Sequence, residues 1–280
     1  MSPDRAAVPF CSLCAYVWSQ SRVRVVDRRG ESLDDLLQVL NDVGIVKVLA
    51  EDEAACLEVL GRAGAVPLKQ YEAVRAGQAD PYTLKTVAKA TPSVGDTSAV
   101  VSRSTDFHMD GYQFCCDYCG EKIAGVGNMP DIELLSFPTV VEGRFLMFSD
   151  LCRAARKMLK AHESSKLEHL TRAAFAIDSR YEDADRDLGD PGLFSVVQRD
   201  ALGWRFHLGG SVTTSDPMSG FSLSLYRAYV ASTVITERLE SDTLYVIDQR
   251  RIMHRGIRVP GVDGKTELRR ALLAFPKECK

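Results

Sequence analysis

Hydrophobic positions in the first third of the chain form two helical stripes with a short apolar run between them. Leu33, Leu36, Leu37 and Leu40 recur at spacings that place them on one face of a helix. Ser32, with Asp35 three residues later, reads as a capping box at its start, and Gly44 as its stop. The run "IVKVL", Ile45 to Leu49, is rich in β-branched residues and predicts a strand. "EDEAACLEVLGRAG" then predicts a second helix, acidic in its first turn and stopped at Gly64. The segment before Ser32 reads as irregular. From about Ser98 the pattern changes to short apolar stretches, "TSAVVS", "IELLSFPTVV", "RFLMFS", "LFSVVQ", "WRFHL" and "TLYVID", separated by Gly, Pro, Asp and Asn. That texture predicts strands joined by turns.

Two stretches interrupt the strands. "SDLCRAARKMLKAHESSKLEHLTRAA" carries Leu151, Ala154, Ala155, Met158 and Leu159 along one face behind a cap at Ser149, and predicts a helix. "FSLSLYRAYVASTVITERLE" has helical spacing but is loaded with Val, Ile and Thr, so helix and strand both stay open for it. Between them "DSRYEDADRDLGDPG" is acidic and turn-rich and reads as a solvated loop, with an active-site lid as the alternative. The sum is an α+β chain forming one domain over 1–280. A helix-strand-helix lead-in spans about 30–97, and a β-barrel or sandwich decorated by helices spans about 98–276.

Composition narrows the function classes. The 280 residues are 45% hydrophobic and 26% charged, which suits a globular chain with a large core. Lys plus Arg number 35 against 38 for Asp plus Glu, so there is no broad positive field to hold a phosphate backbone, and no nucleic-acid partner is expected. No stretch reaches the roughly 18 apolar residues of a membrane span. The N-terminal run "VPFCSLCAYVW" is broken by Ser12 and lacks the positive region and cleavage site of a leader, so a cytoplasmic location is expected. The spacing Cys11 to Cys14 and Cys116 to Cys119 gives two C-x-x-C pairs, which raises a zinc-binding module as an alternative. About a hundred residues separate the pairs, against roughly fifteen to twenty in a compact zinc ribbon, which favours reduced, buried thiols.

The chemistry concentrates elsewhere. In "FHMDG", His108 and Asp110 stand two apart, so on a strand both would point to one face and could hold one ion. Towards the C-terminus "TLYVIDQRRIMHRG" brings a second histidine, His254, and "RRALLAF" opens with Arg269 and Arg270. Two imidazoles and a carboxylate on one face of a metal form the facial triad of non-haem Fe(II) oxygenases, which leaves positions open for co-substrate and dioxygen. An arginine on a neighbouring strand suits a dicarboxylate, because the guanidinium fork pairs with a carboxylate in bidentate fashion. Taken singly, His254 reads as a hydrogen-bonded core or surface histidine, and the two arginines as one buried and one solvated edge-strand side chain. His162 and His169, seven apart in a charged helix, read as a solvated face, and His207 as strand packing.

Taken together in this order, the pieces resemble the clavaminate synthase-like, or taurine dioxygenase-like, Fe(II)- and 2-oxoglutarate-dependent oxygenases. The resemblance runs from "LLQVLNDVGIVKVLAEDEAACLEVLGRAG" through "STDFHMDGYQF" to "YVIDQRRIMHRG" and covers most of the chain. It implies a double-stranded β-helix, or jelly-roll, core with flanking helices and an α/β lead-in. It also implies His108, Asp110 and His254 as iron ligands and Arg270 as the partner of the distal 2-oxoglutarate carboxylate, with Arg269 as the fallback. Arg255 and Arg258, just past the distal histidine, are candidates for a substrate carboxylate or for an exposed loop role. The implied reaction consumes 2-oxoglutarate and dioxygen, releases succinate and carbon dioxide, and oxidises a C–H bond of a small molecule such as an amino acid or a biosynthetic intermediate. Hydroxylation is the leading outcome, with desaturation or cyclisation as others, and Asp110 speaks against halogenation. The chain departs from the family at "EGRFLMFSDLC", where a threonine that helps hold 2-oxoglutarate is expected and Phe145 or Leu146 stands instead, leaving Thr139 or Ser149 as possible substitutes. A relative that binds metal without catalysis is the alternative this departure raises.

Overall fold

The computed structural model describes residues 10–70, 107, 109, 114–118, 121–124, 130–177, 193–200, 202–209, 212–258, 266 and 268–275; His108, Asp110, the "TSAVVS" stretch, Cys119 and the acidic segment 178–192 lie outside them. The strands in chain order are β1 (Arg24–Asp27), β2 (Gly44–Leu49), β3 (Val66–Pro67), β4 (Lys69–Gln70), β5 (Phe114–Tyr118), β6 (Glu121–Ala124), β7 (Ile132–Phe137), β8 (Arg144–Asp150), β9 (Ala176–Ile177), β10 (Val197–Asp200), β11 (Gly203–Phe206), β12 (Val212–Thr213), β13 (Val234–Arg238), β14 (Thr243–Asp248), β15 (Ile252–Arg258) and β16 (Arg269–Ala274). The helices are α1 (Phe10–Ser19), α2 (Leu36–Val43), α3 (Glu53–Arg62), α4 (Leu151–Lys160), α5 (Ser164–His169) and α6 (Pro217–Ala231).

Two sheets carry the architecture. A six-stranded sheet runs β1-β2-β14-β7-β16-β3, antiparallel except for the parallel pair β1 and β2. A three-stranded antiparallel sheet, β13-β8-β15, lies against it. Side chains alternate across each strand, and the core divides accordingly. Ile45, Leu135, Phe137, Tyr245 and Ile247 of the large sheet meet Leu146, Phe148 and Ile252 of the small one in a shared apolar layer. Their neighbours Val46, Val48, Leu134, Leu244 and Val246 point the other way, onto Leu36, Leu40, Cys56 and Leu60 of α2 and α3. On the outer side of the small sheet, Met253 packs with Leu13 and Val17 of α1, Met158 of α4 and Leu223 and Tyr226 of α6. Burial on both faces explains why "TLYVID" and "IELLSF" read as continuous apolar runs.

Local chemistry accounts for where the predicted boundaries moved. The N-terminal segment read as irregular contains α1. The capping box at Ser32 does not form: the Ser32 hydroxyl meets the Asp34 carboxylate, and α2 begins at Leu36 behind Asp35, which makes no side-chain cap bond. The cap of α4 is Asp150, whose carboxylate accepts from Arg153 N at 2.8 Å, and not Ser149. The stretch left open between helix and strand is both. Asp216 caps α6 through Ser219 N, with Pro217 in its first turn, and β13 follows from Val234. Gly44 does end α2, at φ 84°.

Gly44 also passes directly from helix into strand beneath the small sheet, where an added Cβ would stand 2.8 Å from Ile252 Cδ1. Both the left-handed backbone and the contact forbid a side chain. Gly44→Ala is expected to lower unfolding free energy by at least about 2 kcal/mol, the cost of forcing alanine into that backbone plus the clash, measured by urea denaturation.

Between the sheets and the β10–β11 hairpin lies a group of buried charges. Asp131 Oδ1 meets the guanidiniums of Arg205 and, at 3.3 Å, Arg250, and Asp200 meets the same two at 3.3 and 2.9 Å. Although burial would raise the Asp200 carboxyl, Arg250 and Arg205 hold it below the ordinary carboxylate range. Removing Asp131 leaves the Arg205 guanidinium, 1% exposed, without its buried partner. Asp131→Ala is therefore expected to cost about 3 to 5 kcal/mol, whereas Arg238→Ala, which breaks an exposed pair with Glu142, should leave the denaturation midpoint unchanged.

Candidate active site

Asp248 ends β14, and Gln249, Arg250 and Arg251 form the connection to β15; Asp248 ties the turn to itself, and the other three are anchored by different parts of the protein. The Asp248 carboxylate accepts from Arg250 N at 3.0 Å and from Arg251 Nε at 2.8 Å. Burial pushes its carboxyl up and the Arg251 guanidinium opposes that. Gln249 donates its side-chain amide to Glu133. Arg250 joins the Asp131 and Asp200 carboxylates. Arg251 donates to the backbone carbonyl of Asn41 at 2.9 Å and to the Gln20 side chain at 3.2 Å, tying in the N-terminal segment. The double arginine of the motif is therefore structural, and it fixes the strand that follows.

That strand, β15, carries His254. The residue lies opposite Phe148 on β8, so it shares the inner face with Phe148 and Ile252 and is 5% exposed. Its Nδ1 stands 3.2 Å from Glu133 Oε2, a close contact without the alignment of a full hydrogen bond. Glu133 reaches it from β7 in the facing sheet and is wholly buried. An acid inside the apolar run "IELLSF" was the visible signal for this residue, but the sequence did not say what it would meet.

The two C-terminal arginines separate by register. Arg270 pairs with Leu135, whose side chain belongs to the layer between the sheets, and its strand neighbour Leu268 packs on that same layer. Arg269 pairs with Ser136 on the other face, where Leu134 and Leu273 meet the helices, and it acts electrostatically on Glu53 of α3. Arg270 is thus diagonal to Glu133 on the inner face of the large sheet, a separation of roughly 7 to 8 Å between backbones, with His254 on the sheet opposite. Arg255 alternates to the side of Met253, away from His254. Arg258 closes β15 opposite Arg144.

The hydroxyls considered as substitutes for the missing threonine are otherwise placed. Ser149 donates to Val230 O at 2.7 Å and meets the Thr233 hydroxyl at 2.8 Å, and Thr139 is exposed. At the departure itself, Leu146 occupies the inner face. His207, 2% exposed, packs edge-on to Phe194 beside Gln198. His162, exposed, follows α4, and His169, half-buried, ends α5.

Cys11 and Cys14 lie one turn apart on α1, Cys116 is on β5, and Cys56 and Cys152 are buried in the two helix-covered layers. Burial, aided by Asp52 and Glu53, pushes the Cys56 thiol up to about 12. Among the described residues no three His, Cys, Asp or Glu side chains group around a possible metal, and no helix is long and apolar enough to cross a membrane.

No protein-family model matches the chain. No curated protein matches its sequence. Solved structures do match its fold. The non-heme iron oxygenase OrfP, in complex with Fe, succinate and (3S)-hydroxy-L-Arg, is similar with a TM-score of 0.59 at 12% identity, over 87% of this chain and 81% of that one. A Burkholderia xenovorans protein described as an alpha-ketoglutarate dependent 2,4-D dioxygenase gives 0.58 at 15% identity, over 91% and 95%. AAD-2 in complex with Mn(II) and N-oxalylglycine gives 0.57 at 16% identity, over 92% and 97%. The chain thus has a mixed α+β fold similar to those of OrfP, the Burkholderia xenovorans protein and AAD-2.

Proposed function

We propose that this protein is an Fe(II)- and 2-oxoglutarate-dependent dioxygenase that oxidises a small molecule, with an amino acid as the leading substrate class and hydroxylation as the leading outcome. In this reading the two facing sheets are the double-stranded β-helix of the single domain, and His108, Asp110 and His254 hold the iron. The observation that carries it is the setting of His254: an imidazole on the inner face with Nδ1 3.2 Å from a buried carboxylate, the arrangement in which a ligating histidine turns Nε2 towards its metal. Phe107 and Met109, which flank His108 in sequence, pack on the same apolar layer as Met253, the residue before His254. The amino-acid class rests on the likeness to OrfP, whose complex holds a hydroxylated arginine.

Iron with 2-oxoglutarate supplies the oxidising chemistry when bound. The chain's own residues do the rest. Arg270, projecting from β16 between the sheets, meets the distal carboxylate of 2-oxoglutarate and fixes how it lies. Leu146 and Phe148 on β8 wall the space beside His254 with apolar surface and keep water from competing. With an aliphatic side chain where a hydroxyl would otherwise assist, recognition of the co-substrate falls more heavily on Arg270.

Two outcomes test the reading. Succinate formation followed by NMR, with Fe(II), 2-oxoglutarate and a panel of L-amino acids, should be iron-dependent and stimulated by at least one of them; formation independent of iron would contradict the reading. Arg270→Ala should raise the 2-oxoglutarate concentration needed for half-maximal succinate formation by roughly 30- to 1000-fold, the loss of a bidentate charged pair worth about 2 to 4 kcal/mol. Arg269→Ala, on the helix-covered face, should change it less than about threefold. Equal effects would remove the assignment of Arg270.

A further inference from the structure

We infer that Glu133 is the positioning residue for His254, held in its own turn by Gln249, and that this pair sets the strength of the metal site. The inference rests on the reading of His254 as a metal ligand.

Glu133 is an acid where the sheet itself asks for none. Its cross-strand partners are Ile247 on β14 and Leu272 on β16, both buried and apolar. Its neighbours along the inner face of the strand include Leu135. A leucine at 133 would satisfy that surroundings, and a wholly buried carboxylate costs several kcal/mol of desolvation before its contacts are counted. Those contacts explain its presence. One oxygen, Oε2, takes the Gln249 amide from one side and faces His254 Nδ1 at 3.2 Å on the other. The three residues come from two sheets and the turn between β14 and β15, so the geometry is assembled only by the fold.

An imidazole can offer a metal either ring nitrogen. A carboxylate 3.2 Å from Nδ1 favours the proton on that nitrogen, and a small turn of the ring onto it would complete the hydrogen bond, present Nε2 as the donor and make Nε2 more basic. Gln249 keeps the carboxylate from rotating away, and the anchored turn keeps Gln249 in place. The inner oxygen is therefore committed before any metal arrives, which is the preorganisation a weakly held divalent ion needs.

Anaerobic Co(II) titration of the apoprotein, read by the visible d–d absorption, tests this in four proteins. Wild type should bind one equivalent and His254→Ala should bind at least a hundredfold more weakly; if wild type binds none, or His254→Ala binds as well, the metal-site reading fails and the inference with it. Given that pair of results, Glu133→Gln, which keeps volume and an acceptor oxygen but removes the charge, should weaken Co(II) about tenfold. Glu133→Leu should weaken it towards a hundredfold, with the saturated d–d spectrum altered as the ring turns. Wild-type affinity and spectrum in a folded Glu133→Leu protein would overturn the inference while leaving the site reading standing. Should Glu133→Leu not fold, Glu133→Gln decides alone: an unchanged affinity and spectrum overturn the proposal, and the tenfold loss sustains it.

Discussion

Asp131 shares its carboxylate with two guanidiniums in a part of the molecule closed to water, and the placement of both sheets depends on that arrangement. Its backbone N donates to Leu273 O on β16, its carbonyl accepts from Gln249 N in the turn before β15, and its second carboxylate oxygen accepts from Phe275 N. Arg205 brings in the β10–β11 hairpin, also through Pro130 O. Arg250 brings in the turn, and its own carbonyl accepts from Phe206 N. Two positive and two negative groups, Arg205, Arg250, Asp131 and Asp200, leave little net charge buried. Such a cluster contributes less to stability than its number of contacts suggests, since each ion lost its water to enter it. Its consequence is geometric: the start of β7, the end of β16 and the start of β15 meet in one register.

The candidate site inherits that register. β15 delivers His254, β7 delivers Glu133 and β16 delivers Arg270, and a slip of one residue in any of these strands would turn its side chain to the opposite face. The difference between Arg269 and Arg270 is that slip made visible, one arginine against α3 and the other between the sheets. Rigid strands rather than loops therefore hold His254, Glu133 and Arg270, which suits the placement task proposed for them.

Much of this was legible in the sequence, and the parts that were not share a cause. Gly44, "IVKVL" and "TLYVID" carry their own local signals, a left-handed stop and two-faced burial, and the structure follows them closely. The strand-helix order of the second half was also readable, because turn residues punctuate it. Ser32 misled because a hydroxyl followed by an acid at the right interval is a local pattern, and Asp34 offered the serine a nearer partner. "FSLSLYRAYVASTVITERLE" stayed open because the decisive signal, Asp216 followed by Pro217, lies just upstream of it. The jobs of Arg250, Arg251, Gln249 and Glu133 were not legible at all: beyond the local bonds to Asp248, the contacts to Asp200, Glu133 and Asn41 span between 50 and more than 200 residues, and no local pattern encodes such a distance. The motif marked where the site's frame would be without saying that its arginines build the frame.

The central claim is that His254 and its supporting turn belong to a working iron and 2-oxoglutarate site. An anaerobic titration with Fe(II) and then 2-oxoglutarate, followed in the visible range, tests it most directly. The account predicts a weak charge-transfer band from the chelated 2-oxo acid in the intact protein and none in His254→Ala. A band of equal strength in both proteins, or iron bound by the intact protein with no band at any 2-oxoglutarate concentration, would contradict it.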